Sequence, residues 1–472
     1  GRIVSRENDR MEIGNHKPPV AADAGRWRET ARRLKTRLVQ KWNSPGHVVS
    51  IFRNMAMLTS GVMLARVVAA ASAPVITRIY QPEHMGVLSV FASLVAMIMP
   101  FMTMAYSTAI PLPKQDGMAI NLTLLCGILL LTISPLVLVF FYFFAAPVLQ
   151  GLHMQTLLPY WWLLPVAIVG TGLYEIMSSW AVRDKNFKAL ANTQVRQSTI
   201  GAVAKIGLGL LCLKPLGLLI GQILLQSSGW MMLFRKFRQG HSGLARHLSG
   251  RRMVFLLRSY ADFPKYRMPS QFLLSFSAKA PLLFFAWHFG SEATGQFGLA
   301  LMIMALPMAL LGNTVSQAYY AEIASVGRKR PEAIYKITRS ITRKLFGMSV
   351  LPFLILLFLG PGLFQLVFGA VWRPAGVFAS IMAVYLLTQF VSSPIVSALN
   401  VFGKQNFFLL MNVLRVGCIV VPFLLGYLLD LAQTTTLVLY SLSMSALRLY
   451  LYFWIMRIIK AQFQNSPEPQ PA

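Results

Sequence analysis

The stretch KQNFFLLMNVLRVGCIVVPFLLGYLL, residues 404–429, decides the fold. About 20 apolar residues suffice for a helix to cross the hydrocarbon core of a bilayer. The stretch also lacks the period-two alternation of a β-barrel strand, so it reads as a transmembrane helix. Within it sits Arg415, with eleven residues before it and fourteen after it. An arginine at that depth costs about 2.5–3.5 kcal/mol on insertion scales. What compensates for that cost is the main clue to function.

The same pattern recurs along the chain. Its 472 residues are 56% hydrophobic and 12% charged, with a mean hydropathy of +0.57. Soluble domains carry about 25% charged residues, so the composition is that of an integral membrane protein. Twelve spans are expected, near 54–79, 85–110, 119–144, 157–180, 192–213, 216–234, 268–289, 294–318, 343–360, 375–399, 406–429 and 435–457. The fold class is therefore all-α, multi-pass membrane. The first apolar stretch is long enough to span and reads as a membrane helix, not a signal peptide.

The net charge of +29 is distributed by side. The N-terminal segment, the loops 181–191, 235–267 and 319–342, and the tail hold nearly all the loop Lys and Arg. The opposite side offers little beyond Arg78, Lys214 and Arg373. This asymmetry predicts cytoplasmic N- and C-termini and attraction to anionic lipid, not nucleic-acid binding. The three cysteines, Cys126, Cys212 and Cys418, fall inside predicted spans and give neither a disulfide framework nor metal-ligand spacing. No metal or cofactor is expected.

The domain reading is a basic extension, 1–50; a six-helix lobe, 51–234; a linker, 235–267; a second six-helix lobe, 268–460; and a disordered tail, 461–472. Segments 26–42 and 251–266 carry apolar and aromatic residues among Arg and Lys, as surface-lying helices do. The two lobes repeat one another. Pro74, Glu83-x-x-Gly86 and Pro100 are matched by Pro281, Glu292-x-x-Gly295 and Pro307. KNFKALANTQVR (185–196) is matched by KQNFFLLMNVLR (404–415). Arg196 and Arg415 thus occupy equivalent places. Six spans per repeat is an even number, which predicts a parallel pseudo-two-fold along the membrane normal around a central cavity.

Ionisable residues well inside spans are Arg66, Glu175, Arg196, Lys205, Lys279, Arg415 and Arg448. Six are cationic and one is anionic, so mutual pairing does not neutralise them. Lys205 and Arg448 divide evenly between snorkelling to an interface and facing a cavity. Arg66, Arg196, Lys279 and Arg415 are expected to line a cavity and grip an anionic cargo. Phosphate or pyrophosphate suits Arg, whose planar fork binds oxygens bidentately. Glu175 reads either as an ion-pair partner or as a proton- or ion-coupling site. No phosphate-binding loop of the ATPase type is present. The short loops on the basic-poor side argue against a membrane-embedded polymerase.

Four stretches carry a resemblance: SAPVITRIYQPEHMGVLSVF (72–91), AIPLPKQDGMAINL (109–122), SYADFPKYRMPS (259–270) and VSSPIVSALNVFGKQ (391–405). In order and in register, they resemble the bacterial lipopolysaccharide and O-antigen flippases of the multidrug/oligosaccharidyl-lipid/polysaccharide exporter superfamily. The resemblance implies two six-helix lobes and alternating access. It also implies a non-enzymatic transporter of undecaprenyl-pyrophosphate-linked glycan in the bacterial inner membrane, with cavity cations on the pyrophosphate. Lys279 and the basic extension depart from the family's usual pattern. A monomer is expected, alongside other polysaccharide-assembly proteins. Drug export, export of another polyprenyl-linked precursor, and a polymerase or scaffold role remain open as alternatives.

Overall fold

The computed structural model describes residues 45–326, 331–397 and 405–464. The chain divides into two compact units, Gly1–Ala56 and Met57–Ala472. Of the first, residues 45–56 are described, and they are helical; the expected amphipathic segment 26–42 lies outside the described residues. The second unit is built of helices, with no strand among the described residues. Nine helices are long and apolar enough to cross a membrane among the described residues.

In chain order the helices are α1 (Met57–Ile79), α2 (Pro82–Met102), α3 (Asp116–Gly151), α4 (Leu163–Arg183) and α5 (Phe187–Leu210). Then come α6 (Leu216–Ser227), α7 (Trp230–His241), α8 (Gly250–Ser259) and α9 (Met268–Pro307). The last five are α10 (Asn313–Val326), α11 (Pro331–Phe368), α12 (Arg373–Ser392), α13 (Gln405–Leu428) and α14 (Gln433–Gln464).

Three local features depart from the expected spans. The second span, expected to reach residue 110, leaves the helix at Met102. Met104 and Ala105 adopt left-handed backbone and a short 3-10 turn follows over Tyr106–Ala109. The seventh and eighth spans form the single element α9, broken at Gly290, where φ is 80° and ψ −173°. That conformation is readily open only to glycine. Finally, α5 is not among the nine apolar spans and α13 contributes only the shorter apolar helix Val413–Leu428. In α5, polar residues including the deep Arg196 and Lys205 dilute the hydropathy that a count of spans rests on.

The first half of the second unit, α1–α7, packs mainly through α3 on α4, α5 on α6, and α4 on α6 and α7. The second half, α9–α14, packs through α11 on α12 and through α14 on α12 and α13. An aromatic core of Phe285, Phe297 and Phe378 fixes α9 against α12, with Phe285 and Phe297 stacked at 4.5 Å. The halves meet chiefly where α2 lies along α9.

The linker between the halves is clamped to the first. Asn121 on α3 donates to the His247 carbonyl and accepts from the Ser249 amide, both at 2.9 Å. Tyr106 donates to the Leu257 carbonyl at 3.0 Å. In helix α8 Leu256 is buried, while Val254 and Phe255 are exposed beside Arg251 and Arg252. A π-helical turn over Phe263–Arg267 carries the chain into α9.

Candidate functional site

The two halves touch through the repeated Glu-x-x-Gly elements. A Cβ added at Gly86 would overlap the Ser291 carbonyl oxygen, and one at Gly295 would overlap the Pro82 carbonyl oxygen. Pro82 and Ser291 each lie four residues before their glycine, so the contact is reciprocal, as a pseudo-two-fold requires. Only a residue without a side chain lets two backbones approach this closely. Beside it, Trp372 donates from Nε1 to the Thr77 carbonyl at 2.9 Å, and Thr77 Oγ1 donates to the Phe368 carbonyl at 3.4 Å. Gln296 props this corner, donating to the Val371 carbonyl and accepting from the Ala375 amide. This is the basic-poor end of the bundle, where α1 turns into α2. At the other end of α2 the halves meet through Phe101 and Phe272, edge to face at 5.2 Å.

Arg66 on α1 and Lys279 on α9 come from opposite halves and lie within electrostatic range of each other. Arg66 is exposed and Lys279 half-buried. No acidic side chain pairs with either among the described residues. Along their helices both stand between the glycine contact and the opposite end. They are two of the four expected cargo ligands.

The other two lie on α5 and α13. Arg196, exposed on α5, lines a cavity of about 340 Å³ with Thr193, Thr199, Ser228 and Met232; its Nη1 is 3.5 Å from the Met232 sulfur. Arg415 on α13 is in the second half, within electrostatic reach of Tyr440 together with Arg448. Its Nε is buried and has no hydrogen-bond partner among the described residues.

Glu175 on α4 is answered by a hydroxyl, not by a cation. Ser107 donates to its Oε1 at 2.5 Å, and Thr103 donates to Ser107 at 3.1 Å. Both hydroxyls come from the irregular segment that follows α2, beside left-handed Met104 and Ala105. No Lys, Arg or His reaches Glu175 within ion-pair distance among the described residues. Lys205 donates from Nζ to Gln222 Oε1 at 2.8 Å, so it is held between α5 and α6. No metal-binding cluster of His, Cys, Asp or Glu occurs among the described residues.

Sequence reasoning found the Glu-x-x-Gly repeats but not that the two glycines meet. The Ser107–Glu175 bond is not visible in a regular span over 85–110; it depends on the turn at Tyr106–Ala109.

Three solved structures share this fold. The first is a multidrug resistance MATE family transporter of the MOP superfamily in an inward-facing conformation. It is 12% identical, with a TM-score of 0.56 over 87% of this chain and 95% of that one. The lipid II flippase MurJ, in an inward closed conformation, is 13% identical with a TM-score of 0.54, covering 89% of this chain and 90% of its own. A MOP superfamily transporter from Pyrococcus furiosus, described by the reverse polarity of its binding pocket, is 12% identical with a TM-score of 0.53 over 87% and 96%. No curated protein matches the chain. The fold is that of the MOP transporters and flippases, as the sequence resemblance implied. Residues 52–377 match the family described as polysaccharide biosynthesis protein, more than half of the chain, and the chain belongs to that family.

Proposed function

We propose that the protein is a flippase that moves an oligosaccharide linked to undecaprenyl pyrophosphate between the leaflets of the bacterial inner membrane. One observation carries this reading: Arg66 and Lys279, from opposite halves of the bundle, lie within electrostatic range of each other with no acidic ion-pair partner among the described residues. Two like charges held together are repulsive until an anion lies between them. A pyrophosphate with several acceptor oxygens fits that need, and a cationic drug does not. Membership of a polysaccharide biosynthesis family and the fold shared with a lipid II flippase support a lipid-linked glycan as cargo.

In this reading the twelve spans form two six-helix lobes, 51–234 and 268–460, joined by the linker 235–267. The termini face the cytoplasm, a monomer suffices, and other polysaccharide-assembly proteins act beside it. Arg66 and Lys279 hold the pyrophosphate, and Arg196 and Arg415 extend the cationic path into each lobe. Glu175, bonded to Ser107, serves as the proton or sodium site that couples a gradient to the lobe motion. Alternating access opens and closes the two ends of the α2–α9 contact in turn.

Complementation in a bacterial strain lacking its own flippase tests the reading. Arg66→Ala with Lys279→Ala should abolish surface glycan while membrane levels of the protein stay normal. Wild-type surface glycan in that double variant would refute it.

A further inference from the structure

Helix α8, in the linker between the halves, has two unlike faces. Met253, Leu256, Leu257 and Tyr260 are buried or half-buried. Arg251, Val254, Phe255 and Arg258 follow the i, i+3, i+4, i+7 spacing of one helical face, and all four are exposed. Val254 and Phe255, at 50% and 58% exposure, therefore stand between two arginines. Neither arginine pairs with an acid among the described residues. Lys265, Tyr266 and Arg267 are exposed just beyond, and Asp262 is the one acid in the sequence from 248 to 270.

Two hydrogen bonds fix how α8 lies. At its start the Ser249 amide donates to Asn121, three residues before Leu124, the first exposed apolar side chain of α3. Three residues are about 5 Å of helix rise, so the helix begins close to the edge of the apolar belt. Near its end the Leu257 carbonyl accepts from Tyr106, on the turn that follows α2. Pinned at both ends, α8 lies across the basic-end edges of α2 and α3 with its arginines outward. An apolar pair flanked by arginines in that position complements a layer of anionic headgroups in both charge and polarity.

The same anchor reaches the deep acid. Tyr106 and Ser107 are consecutive residues of the 3-10 turn Tyr106–Ala109; Tyr106 holds the linker and Ser107 donates to Glu175. The linker bond and the Glu175 bond are one residue apart, so a force that steadies α8 also steadies Ser107.

We propose that the outward face of α8 docks on anionic lipid headgroups, and that this docking holds Ser107 on Glu175 through Tyr106. The proposal rests on the flippase reading only for the coupling role of Glu175, and it adds lipid composition as the regulator of that site.

The test uses the full chain in vesicles of phosphatidylcholine, alone or mixed with phosphatidylglycerol. Phe255→Cys carries an environment-sensitive fluorophore in a Cys212→Ser, Cys418→Ser background, the remaining Cys126 being buried. Its emission should shift to the blue when phosphatidylglycerol is present. Arg251→Gln with Arg258→Gln should remove the shift, and Arg251→Lys with Arg258→Lys should keep it. In the unlabelled protein, hydrogen exchange over residues 103–110 should slow at least threefold with phosphatidylglycerol. Tyr106→Phe should keep the fluorophore shift and lose the slowing, a separation that a merely structural bond would not produce. Emission indifferent to phosphatidylglycerol would leave the face to a protein partner and overturn the docking. Exchange that slows equally in the wild type and Tyr106→Phe would overturn the link to Glu175. Neither readout involves the cargo, so a protein that passes both and moves no glycan would refute the flippase reading alone.

Discussion

The two ends of the α2–α9 contact are built differently. At the basic-poor end, backbone meets backbone at Gly86 and Gly295, and Trp372 bonds to the Thr77 carbonyl. At the basic end Phe101 and Phe272 meet ring to ring, with the linker fastened nearby through Tyr106. Backbone contact and an indole hydrogen bond fix register and tolerate no added volume; an edge-to-face ring pair can slide or part for about 0.5–1.5 kcal/mol. The first end is a specific seal and the second a softer one. A carrier that takes cargo from one side needs that asymmetry in its resting form.

The comparison can be broken by adding bulk at the tight end. Gly295→Leu drives a side chain into the Pro82 carbonyl, and overpacking of this kind costs about 1–3 kcal/mol. Transport in reconstituted vesicles should fall to background while the variant stays folded by circular dichroism. A variant that transports normally would mean the glycine contact is incidental.

A reversible lock gives the next largest effect. A Cβ at Gly298 would lie 3.2 Å from the Ser89 Cβ, close to the separation a disulfide spans. Ser89→Cys with Gly298→Cys should cross-link on oxidation and slow transport at least tenfold, and reductant should restore it. Full activity in the cross-linked protein would show that this end never opens.

Removing the Glu175 charge should have a smaller effect. Glu175→Gln keeps a carbonyl acceptor for the Ser107 hydroxyl, so the fold should hold. An imposed ion gradient should stimulate the wild type several-fold and leave Glu175→Gln unstimulated. Unchanged stimulation would assign Glu175 to packing alone.

At the soft end the effects should be slight. Phe101→Ala should lower transport by no more than about threefold, in keeping with the modest worth of one ring pair. Tyr106→Phe removes one hydrogen bond to the linker and should destabilise the protein by about 1 kcal/mol, read as a small drop in thermal midpoint. A Phe101→Ala loss as deep as that of Gly295→Leu would erase the distinction between the ends.

Much of this architecture was legible in the sequence, because the solvent is lipid. Long apolar runs admit few solutions there, and the span boundaries around Gly290 and Pro82 follow from backbone rules. The deep cations were legible for the same reason, since a charge in hydrocarbon stands out against its neighbours. Their grouping was not. Arg66 and Lys279 are more than two hundred residues apart, and no periodicity couples one helix to another across the bundle. The repeat set Arg196 and Arg415 at equivalent places in the two halves but could not say what each meets: Arg196 lines a cavity beside Met232, and Arg415 lies within electrostatic reach of Tyr440. The hydroxyl that meets Glu175 was not legible, because Ser107 sits on a segment whose left-handed residues, Met104 and Ala105, are neither glycine nor asparagine. Such a break leaves no local signature.

The central claim is that a cationic pair between the halves carries the phosphate of a lipid-linked glycan. Sealed vesicles loaded with pyrophosphate-linked oligosaccharide on one leaflet test it most directly, comparing the wild type with Arg66→Ala/Lys279→Ala for appearance of glycan on the other leaflet. The account predicts rapid appearance with the wild type and at least a hundredfold slower appearance with the double variant. Equal rates in the two would contradict it.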